Sequence, residues 1–102
     1  MKQKGKKTLL KIKKILKENK PQLADKFKVK SIGIFGSYVR GGVKERSDID
    51  ILVEFSETID LLDFVALERF LSEQIGIKVD LVMKSALKPR IGRHVLKEVV
   101  YI

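Results

Sequence analysis

The sequence predicts an α+β fold, in which a small, mixed, twisted β-sheet has helices packed mainly on one face. Three short apolar runs have the composition or alternation of strands, and longer stretches between them repeat apolar residues at helical spacing. The chain has 102 residues, enough for one core, since a domain of this size buries roughly two-thirds of its unfolded surface. We expect a single domain, with a lysine-rich helical segment over residues 1–30 and the core over residues 31–102.

The first 30 residues combine positive charge with a helical repeat. They hold twelve lysines against two acidic residues, within a chain whose net charge is +9. Apolar spacing predicts an amphipathic helix from Thr8 to about Asn19, and Pro21 can begin a second short helix that ends near Phe27. The lysines are not interleaved with aromatic residues for stacking on bases, which favours a solvated face. Nucleic-acid binding through this segment is the alternative.

Two predicted strands flank a loop. Lys30–Gly36 is a β-rich apolar run closed by glycine, and residues 37–47 form a turn-rich loop with one helical turn after Gly36. The second strand runs from Asp48 to Phe55. Its alternation places one set of side chains on an apolar face (Ile49, Ile51, Val53, Phe55) and the other on the opposite face (Asp48, Asp50, Leu52, Glu54).

The rest of the chain predicts a helix, a strand and a last helix. The first helix runs from Asp60, a good N-cap, to Ile75, and Gly76 stops it. The strand is Lys78–Met83, and apolar spacing after Pro89 indicates the final helix.

Several classes of protein are excluded by composition. The chain has no cysteine, so disulfides and cysteine-ligated metals are ruled out. No apolar run approaches the roughly 18 residues of a membrane span. The basic N-terminus lacks the apolar segment of a secretory signal, so we expect a cytoplasmic protein.

Two aspartates suggest a metal site. Asp48 and Asp50 are two apart on a predicted strand, so their side chains share a face, roughly 6.6 Å apart at about 3.3 Å per residue. Such oxygen ligands suit magnesium, and their mutual repulsion calls for a cation. Asp80, on another predicted strand, is the natural third ligand, with Glu54 as its competitor. The alternative is that the aspartates cap turns or face water.

A phosphate-binding turn is predicted just upstream. Gly36 lets a phosphate approach the backbone, and Ser37 offers a hydroxyl where a helical turn begins. Arg40 lies one turn on and can pair with phosphate oxygens. A phosphate turn and a metal-binding pair one loop apart are what a magnesium-bound triphosphate needs.

The stretch from Gly36 to Val53 resembles the signature of the polymerase-β-like nucleotidyltransferase superfamily: Gly-Ser, a loop, then Asp-x-Asp. Arg40-Gly41 and the Ser-Asp-Ile-Asp run at 47–50 resemble its minimal, MNT-type branch, which includes the antitoxins paired with HEPN-domain toxins. The resemblance extends in order over residues 31–102, which would then be the catalytic core.

The resemblance implies a role for each motif residue. Gly36 and Ser37 would hold the β- and γ-phosphates of ATP. Asp48, Asp50 and Asp80 would bind two Mg²⁺ ions, and Asp80 could activate the attacking hydroxyl. AMP would pass to a tyrosine of a HEPN-type toxin, and the protein would act as the antitoxin within an oligomer formed with that partner. The alternatives are a catalytically silent antitoxin that acts by binding alone, and a transferase for a small-molecule or RNA acceptor.

His94 is the one histidine in the sequence. It has no metal-ligand companion nearby in the chain, which predicts a non-catalytic role.

Overall fold

The computed structural model describes residues 8–41 and 48–102. The first seven residues and residues 42–47 of the predicted loop lie outside the described residues. The elements, in chain order, are α1 (Leu9–Phe27), β1 (Val29–Phe35), α2 (Ser37–Arg40), β2 (Ile49–Phe55), α3 (Leu61–Ile75), β3 (Val79–Met83), a 3₁₀ turn (Lys84–Ala86), α4 (Pro89–Glu98) and β4 (Val100–Tyr101).

The four strands form one mixed sheet in the order β3-β2-β1-β4. β1 runs antiparallel to both β2 and β4, whereas β2 and β3 are parallel. The predicted α+β fold with a mixed sheet is confirmed. β4 and the 3₁₀ turn were not predicted, because elements of two and three residues are too short to show a period.

The apolar core lies between one face of the sheet and the helices α1 and α3. Ile49, Ile51 and Val53 of β2 are fully buried on this face. They pack in one cluster with buried residues of both helices, namely Ile12, Leu16, Leu23, Leu67, Leu71 and Ile75. Each such side chain contributes about 1.5–3 kcal/mol on burial. The alternate residues of β2, which include Asp50, are therefore left on the opposite face of the sheet.

The lysine-rich segment forms one helix, and the prediction of two helices was wrong. α1 runs unbroken through Pro21, although a proline inside a helix removes one backbone hydrogen bond. Leu23, beyond the proline, is fully buried, and the Phe27 ring packs 5.3 Å from the Phe70 ring of α3. Burial of this last turn outweighs the proline's preference for a helix start. Within residues 8–41 and 48–102, every helix is too short or too polar to cross a membrane.

The predicted boundaries of α3 are confirmed. The Asp60 side chain accepts a hydrogen bond from the Asp63 backbone N–H at 2.9 Å, and Gly76 ends the helix with a left-handed φ of 81°. This helix also holds the edge strand β3. Ser72 Oγ accepts from Val79 N at 3.0 Å and Glu68 Oε2 accepts from Leu81 N at 3.2 Å.

Candidate active site

Two of the predicted metal ligands lie side by side. Asp50 of β2 and Asp80 of β3 are directly paired in the parallel register. Asp50 is half-buried, whereas Asp80 and Asp48, which precedes β2, are exposed. The two hydrogen bonds from Val79 and Leu81 to α3 bracket Asp80 and hold its strand against that helix. The fold thus brings two carboxylates together from residues 30 positions apart in the sequence.

The electrostatics of this acidic pair favour a cation. Burial raises the pKa of Asp50 to about 6, and the charge and hydrogen bonding of Asp80 and the charge of Asp48 add to this rise, while Arg40 opposes it. A carboxyl group with a raised pKa binds a proton in place of a missing positive partner. The position therefore has an excess of negative charge that a bound cation would balance.

The side chains of the acidic pair meet the coordination needs of Mg²⁺. Among residues 8–41 and 48–102, no group of three or more His, Cys, Asp or Glu side chains is close enough to hold a metal ion. Mg²⁺, however, is usually held by one or two carboxylates together with water and substrate phosphates. Asp50 and Asp80 supply two hard oxygen ligands, and Asp48 lies at the edge of the pair. The residues present fit Mg²⁺.

The Gly36-Ser37 turn lies directly against Asp50. Gly36 has a φ of 82°, and a Cβ built on it would lie 2.1 Å from Asp50 Oδ2. Only glycine suits both the left-handed backbone and this close approach. The helical turn predicted after Gly36 is confirmed as α2, which starts at Ser37 and ends at Arg40. The structure thereby joins the predicted phosphate turn to the predicted metal pair.

A carboxylate that the sequence analysis missed occupies two donors of this turn. Glu98, the last residue of α4, accepts from the Gly36 N–H at 2.8 Å. Its two oxygens also accept from Arg40 Nη1 at 2.9 and 3.0 Å. Burial alone would raise the pKa of Glu98, but the hydrogen bonds from Gly36 and Arg40 and the charges of Arg40 and His94 bring it below its ordinary value.

The sequence did contain a signal for Glu98. It is the single acidic residue after Asp80, and it ends a helix, where the helix dipole disfavours a negative charge. An acid at such a position needs a specific partner. Recognising that partner as the Gly36 turn required the chain fold, since the two residues are 62 positions apart.

His94, Glu54 and Tyr38 are not part of the acidic pair, and each has its own surroundings. His94 is 71% exposed at its side chain and lies 4.0 Å from Glu98. Glu54, the competing ligand, accepts from Ser31 Oγ at 3.2 Å and pairs with Lys84 at 3.7 Å, four residues along β2 from Asp50. Tyr38 of α2 is buried, and this burial, with the charge of Asp48, raises its pKa.

An acidic pair packed against a glycine-serine turn places groups that would suit a cation beside groups that would suit a phosphate. A family model described as the nucleotidyltransferase domain matches residues 9–102, and the chain belongs to this family. It is a nucleotidyltransferase.

Relatives with named activities and partners are similar over most of their length. Protein adenylyltransferase MntA of Thermococcus cleftensis is 54% identical over 95 residues, which cover 93% of this chain and 96% of the relative. A crystal structure of a toxin-antitoxin with AMP-PNP matches with a TM-score of 0.66 and 30% identity, covering 90% of this chain and 69% of that one. A complex of tri-AMPylated Shewanella oneidensis HEPN toxin with MNT antitoxin matches with a TM-score of 0.58 and 28% identity, covering 90% and 66%.

Proposed function

We propose that the protein is a Mg²⁺-dependent protein adenylyltransferase that transfers AMP from ATP to a tyrosine hydroxyl of a HEPN-domain toxin. It would act as the antitoxin of the pair, in an oligomer with its partner, in the cytoplasm. The observation that carries this proposal is the placement of Asp50, in register with Asp80, against the Gly36 backbone. Metal ligands and a phosphate turn in contact suit a magnesium-bound triphosphate.

The names of the relatives support ATP as the donor of the adenylyl group and a HEPN toxin as the partner. The T. cleftensis relative is named a protein adenylyltransferase. One matched complex holds AMP-PNP, an analogue of ATP, and another pairs an MNT antitoxin with an AMPylated HEPN toxin.

Each side chain of the site has a role in this reaction. Asp48, Asp50 and Asp80 would hold two Mg²⁺ ions, which when bound lower the pKa of the acceptor hydroxyl and stabilise the leaving pyrophosphate. Ser37 would donate its hydroxyl to a phosphate oxygen. Arg40 has five N–H donors, and its pairing with Glu98 uses Nη1, so the rest of the guanidinium can reach the triphosphate.

The transfer of AMP forms one bond to phosphorus, breaks another and releases one proton. The acceptor oxygen forms a bond to the α-phosphorus of ATP, the bond from that phosphorus to the bridging oxygen breaks, and pyrophosphate leaves. The proton of the hydroxyl passes to a carboxylate. Asp80 is the candidate acceptor of this proton, because it is exposed on the edge strand β3 where a partner's hydroxyl can approach, whereas Asp50 is half-buried.

Neutralisation by binding alone is the second candidate function. α3 begins with a cluster of exposed apolar side chains, Leu61, Leu62 and Val65, which are 74%, 79% and 43% exposed. Exposed apolar patches of this kind mark protein interaction sites. A partner seated there would be bound without any use of the acidic pair.

Label transfer from α-labelled ATP tests the proposal. The protein is incubated with Mg²⁺ and ATP, with and without a HEPN partner, and compared with its Asp50→Asn variant. Asp25→Asn, a carboxylate-to-amide change at an exposed position of α1, is the matched control.

Label on a partner tyrosine that depends on Asp50 and not on Asp25 supports the enzyme. Tight partner binding without label, equal in all variants, would contradict it and leave the binding-only antitoxin. Label on RNA or a small alcohol in place of the partner would redirect the assignment to another acceptor.

A further inference from the structure

Glu98 takes the place of a strand partner beside the glycine turn. β1 and β4 pair antiparallel, with Gly33 opposite Tyr101 and Ile34 opposite Val100. If this register continued, residue 98 would stand opposite Gly36. Residue 98 is helical, so its backbone cannot extend the ladder, and its side-chain carboxylate accepts the Gly36 N–H at 2.8 Å instead.

One carboxylate holds both ends of α2. Gly36 is the N-cap of this four-residue helix and Arg40 is its last residue. Glu98 accepts from the backbone of the first and from the guanidinium of the second. The Glu98 side chain is 14% exposed, against 56% for Arg40. The better-packed Glu98 is therefore the anchor, and the more exposed arginine is the group that it orients.

Glu98 lies on the side of Gly36 that faces away from the acidic pair. Alternate residues of a strand direct their N–H and C=O groups to the same neighbour. Ile32 lies four residues, an even number, before Gly36, and its carbonyl accepts a hydrogen bond from Ile102 N at 3.0 Å, on the side of β4. The Gly36 N–H points the same way, while the Cα of Gly36 contacts Asp50 on β2. A triphosphate at the acids does not need the donor that Glu98 uses.

We propose that Glu98 is a positioning residue of the nucleotide site. It fixes the Gly36-Ser37 turn against Asp50 and orients the guanidinium of Arg40, so that donors other than the Nη1 used by Glu98 face the triphosphate. This inference rests on the proposed function for its effect on ATP, whereas the holding of Gly36 is a property of the fold alone. The competing interpretation is that Glu98 stands in for phosphate and must be displaced when ATP binds.

Three variants of the full chain separate these roles. Glu98→Ala loses the Gly36 and Arg40 contacts, Glu98→Gln keeps an acceptor for Gly36 but loses the charge opposite Arg40, and Lys97→Ala is a control on the same helix. Each is checked for folding by circular dichroism. The readouts are amide hydrogen exchange at Gly36, and KM and kcat for ATP with Mg²⁺.

A hydrogen bond to a charged group supports a change of about tenfold or more on its removal. We expect Glu98→Ala to speed exchange at Gly36 and raise KM for ATP about tenfold, with a smaller fall in kcat. Glu98→Gln should restore protection at Gly36 and rescue KM in part, and Lys97→Ala should change neither. Tighter ATP binding in both Glu98 variants would overturn the positioning role in favour of the phosphate stand-in, and unchanged KM would overturn it outright.

The failure of the proposed function has a different signature. If the natural protein neither binds Mg·ATP nor transfers AMP, the enzyme assignment fails, but Gly36 exchange still decides the role of Glu98. Protection lost in Glu98→Ala and kept in Glu98→Gln supports the holding of the turn. Protection unchanged in both variants overturns it.

Discussion

The site has an acidic half (Asp48, Asp50 and Asp80) and a turn half (residues 36–40 with Glu98). The pKa of a carboxyl group shifts in opposite directions in the two halves. In the acidic half, the Asp50 carboxyl is half-buried beside Asp80 and Asp48, and its pKa rises to about 6. In the turn half, burial alone would raise the pKa of Glu98, yet its pKa is lowered, because Gly36 and Arg40 donate hydrogen bonds to it and Arg40 and His94 bring positive charge. Burial opposes the charged form of both carboxylates; at Asp50 the neighbouring acids add to that effect, whereas at Glu98 the donors that the fold supplies outweigh it.

The turn half has its charges paired within the fold, whereas like charges meet in the acidic half. The glycine turn has its charges matched before any ligand arrives, which suits a surface that must keep its shape. In the acidic half, burial and the neighbouring acids disfavour the charged form of Asp50, so a bound cation would stabilise it. Proteins depart from the usual pairing of charges mainly at functional sites, where the loss of stability is compensated elsewhere in the fold.

The largest effect is expected from removing charge in the acidic half. Asp50→Asn keeps the shape of the side chain but removes a metal ligand, and metal-ion stabilisation of developing charge is worth several kcal/mol. Transfer of AMP should fall by about 10³-fold, since each 1.36 kcal/mol is a tenfold change in rate. Single-turnover transfer from labelled ATP measures this. A fall of less than tenfold would mean that the acidic half is not where catalysis is concentrated.

Gly36→Ala tests how tightly the two halves are pressed together. Its Cβ would meet Asp50 Oδ2 at 2.1 Å, and its φ is left-handed, so strain and overpacking should together cost about 3 kcal/mol of unfolding free energy. Gly41→Ala is the matched control, because Gly41 has a similar left-handed φ of 85° but a Cβ built on it would meet no atom of residues 8–41 and 48–102 within 4 Å. It should cost about 1 kcal/mol. Urea denaturation measures both, and equal losses would show that backbone strain alone, and not the contact with Asp50, requires glycine.

A gain in stability is the next expected effect. The raised pKa of Asp50 means that the folded state favours the neutral form, so its contribution to stability is present below about pH 4 and is lost as the pH rises through about 6. At pH 7 Asp50→Asn should therefore stabilise the metal-free protein, by roughly 2 kcal/mol once partial solvent exposure is allowed for. Thermal unfolding in EDTA measures this at pH 5 and at pH 7. A variant that is less stable than the natural protein at pH 7 would contradict the repulsion assigned to the acidic half.

The same contrast explains what the sequence could and could not predict. Asp48, Asp50 and Gly36 were predicted as site residues because each lies in a short motif whose spacing has chemical meaning. The caps of α3 at Asp60 and Gly76 followed from local rules. Long-range relations did not follow from local patterns.

Tertiary contacts decided the features that the sequence analysis missed. Glu98 meets Gly36 only because β4 returns beside β1, and the continuity of α1 through Pro21 depends on the burial of Leu23. The grouping of Asp80 with Asp50 was expected from its place on another predicted strand and from the family resemblance, but its in-register geometry comes from the parallel contact of β2 and β3. Motif chemistry is local, whereas the balance of charge at a site is a property of the whole fold.

The smallest effect identifies which cation balances Glu98. Arg40 donates to both oxygens of Glu98 at 2.9–3.0 Å, whereas His94 lies 4.0 Å away with a side chain that is 71% exposed. Exposed ion pairs of that length contribute little, so His94→Ala should change the free energy of unfolding by less than about 0.5 kcal/mol, and Arg40→Ala should cost about 1 kcal/mol or more. For a domain of this size the first change shifts the melting temperature by no more than about 4 °C. Equal losses in the two variants would mean that the histidine shares the carboxylate with Arg40, and that the turn half is balanced from α4 as well as from α2.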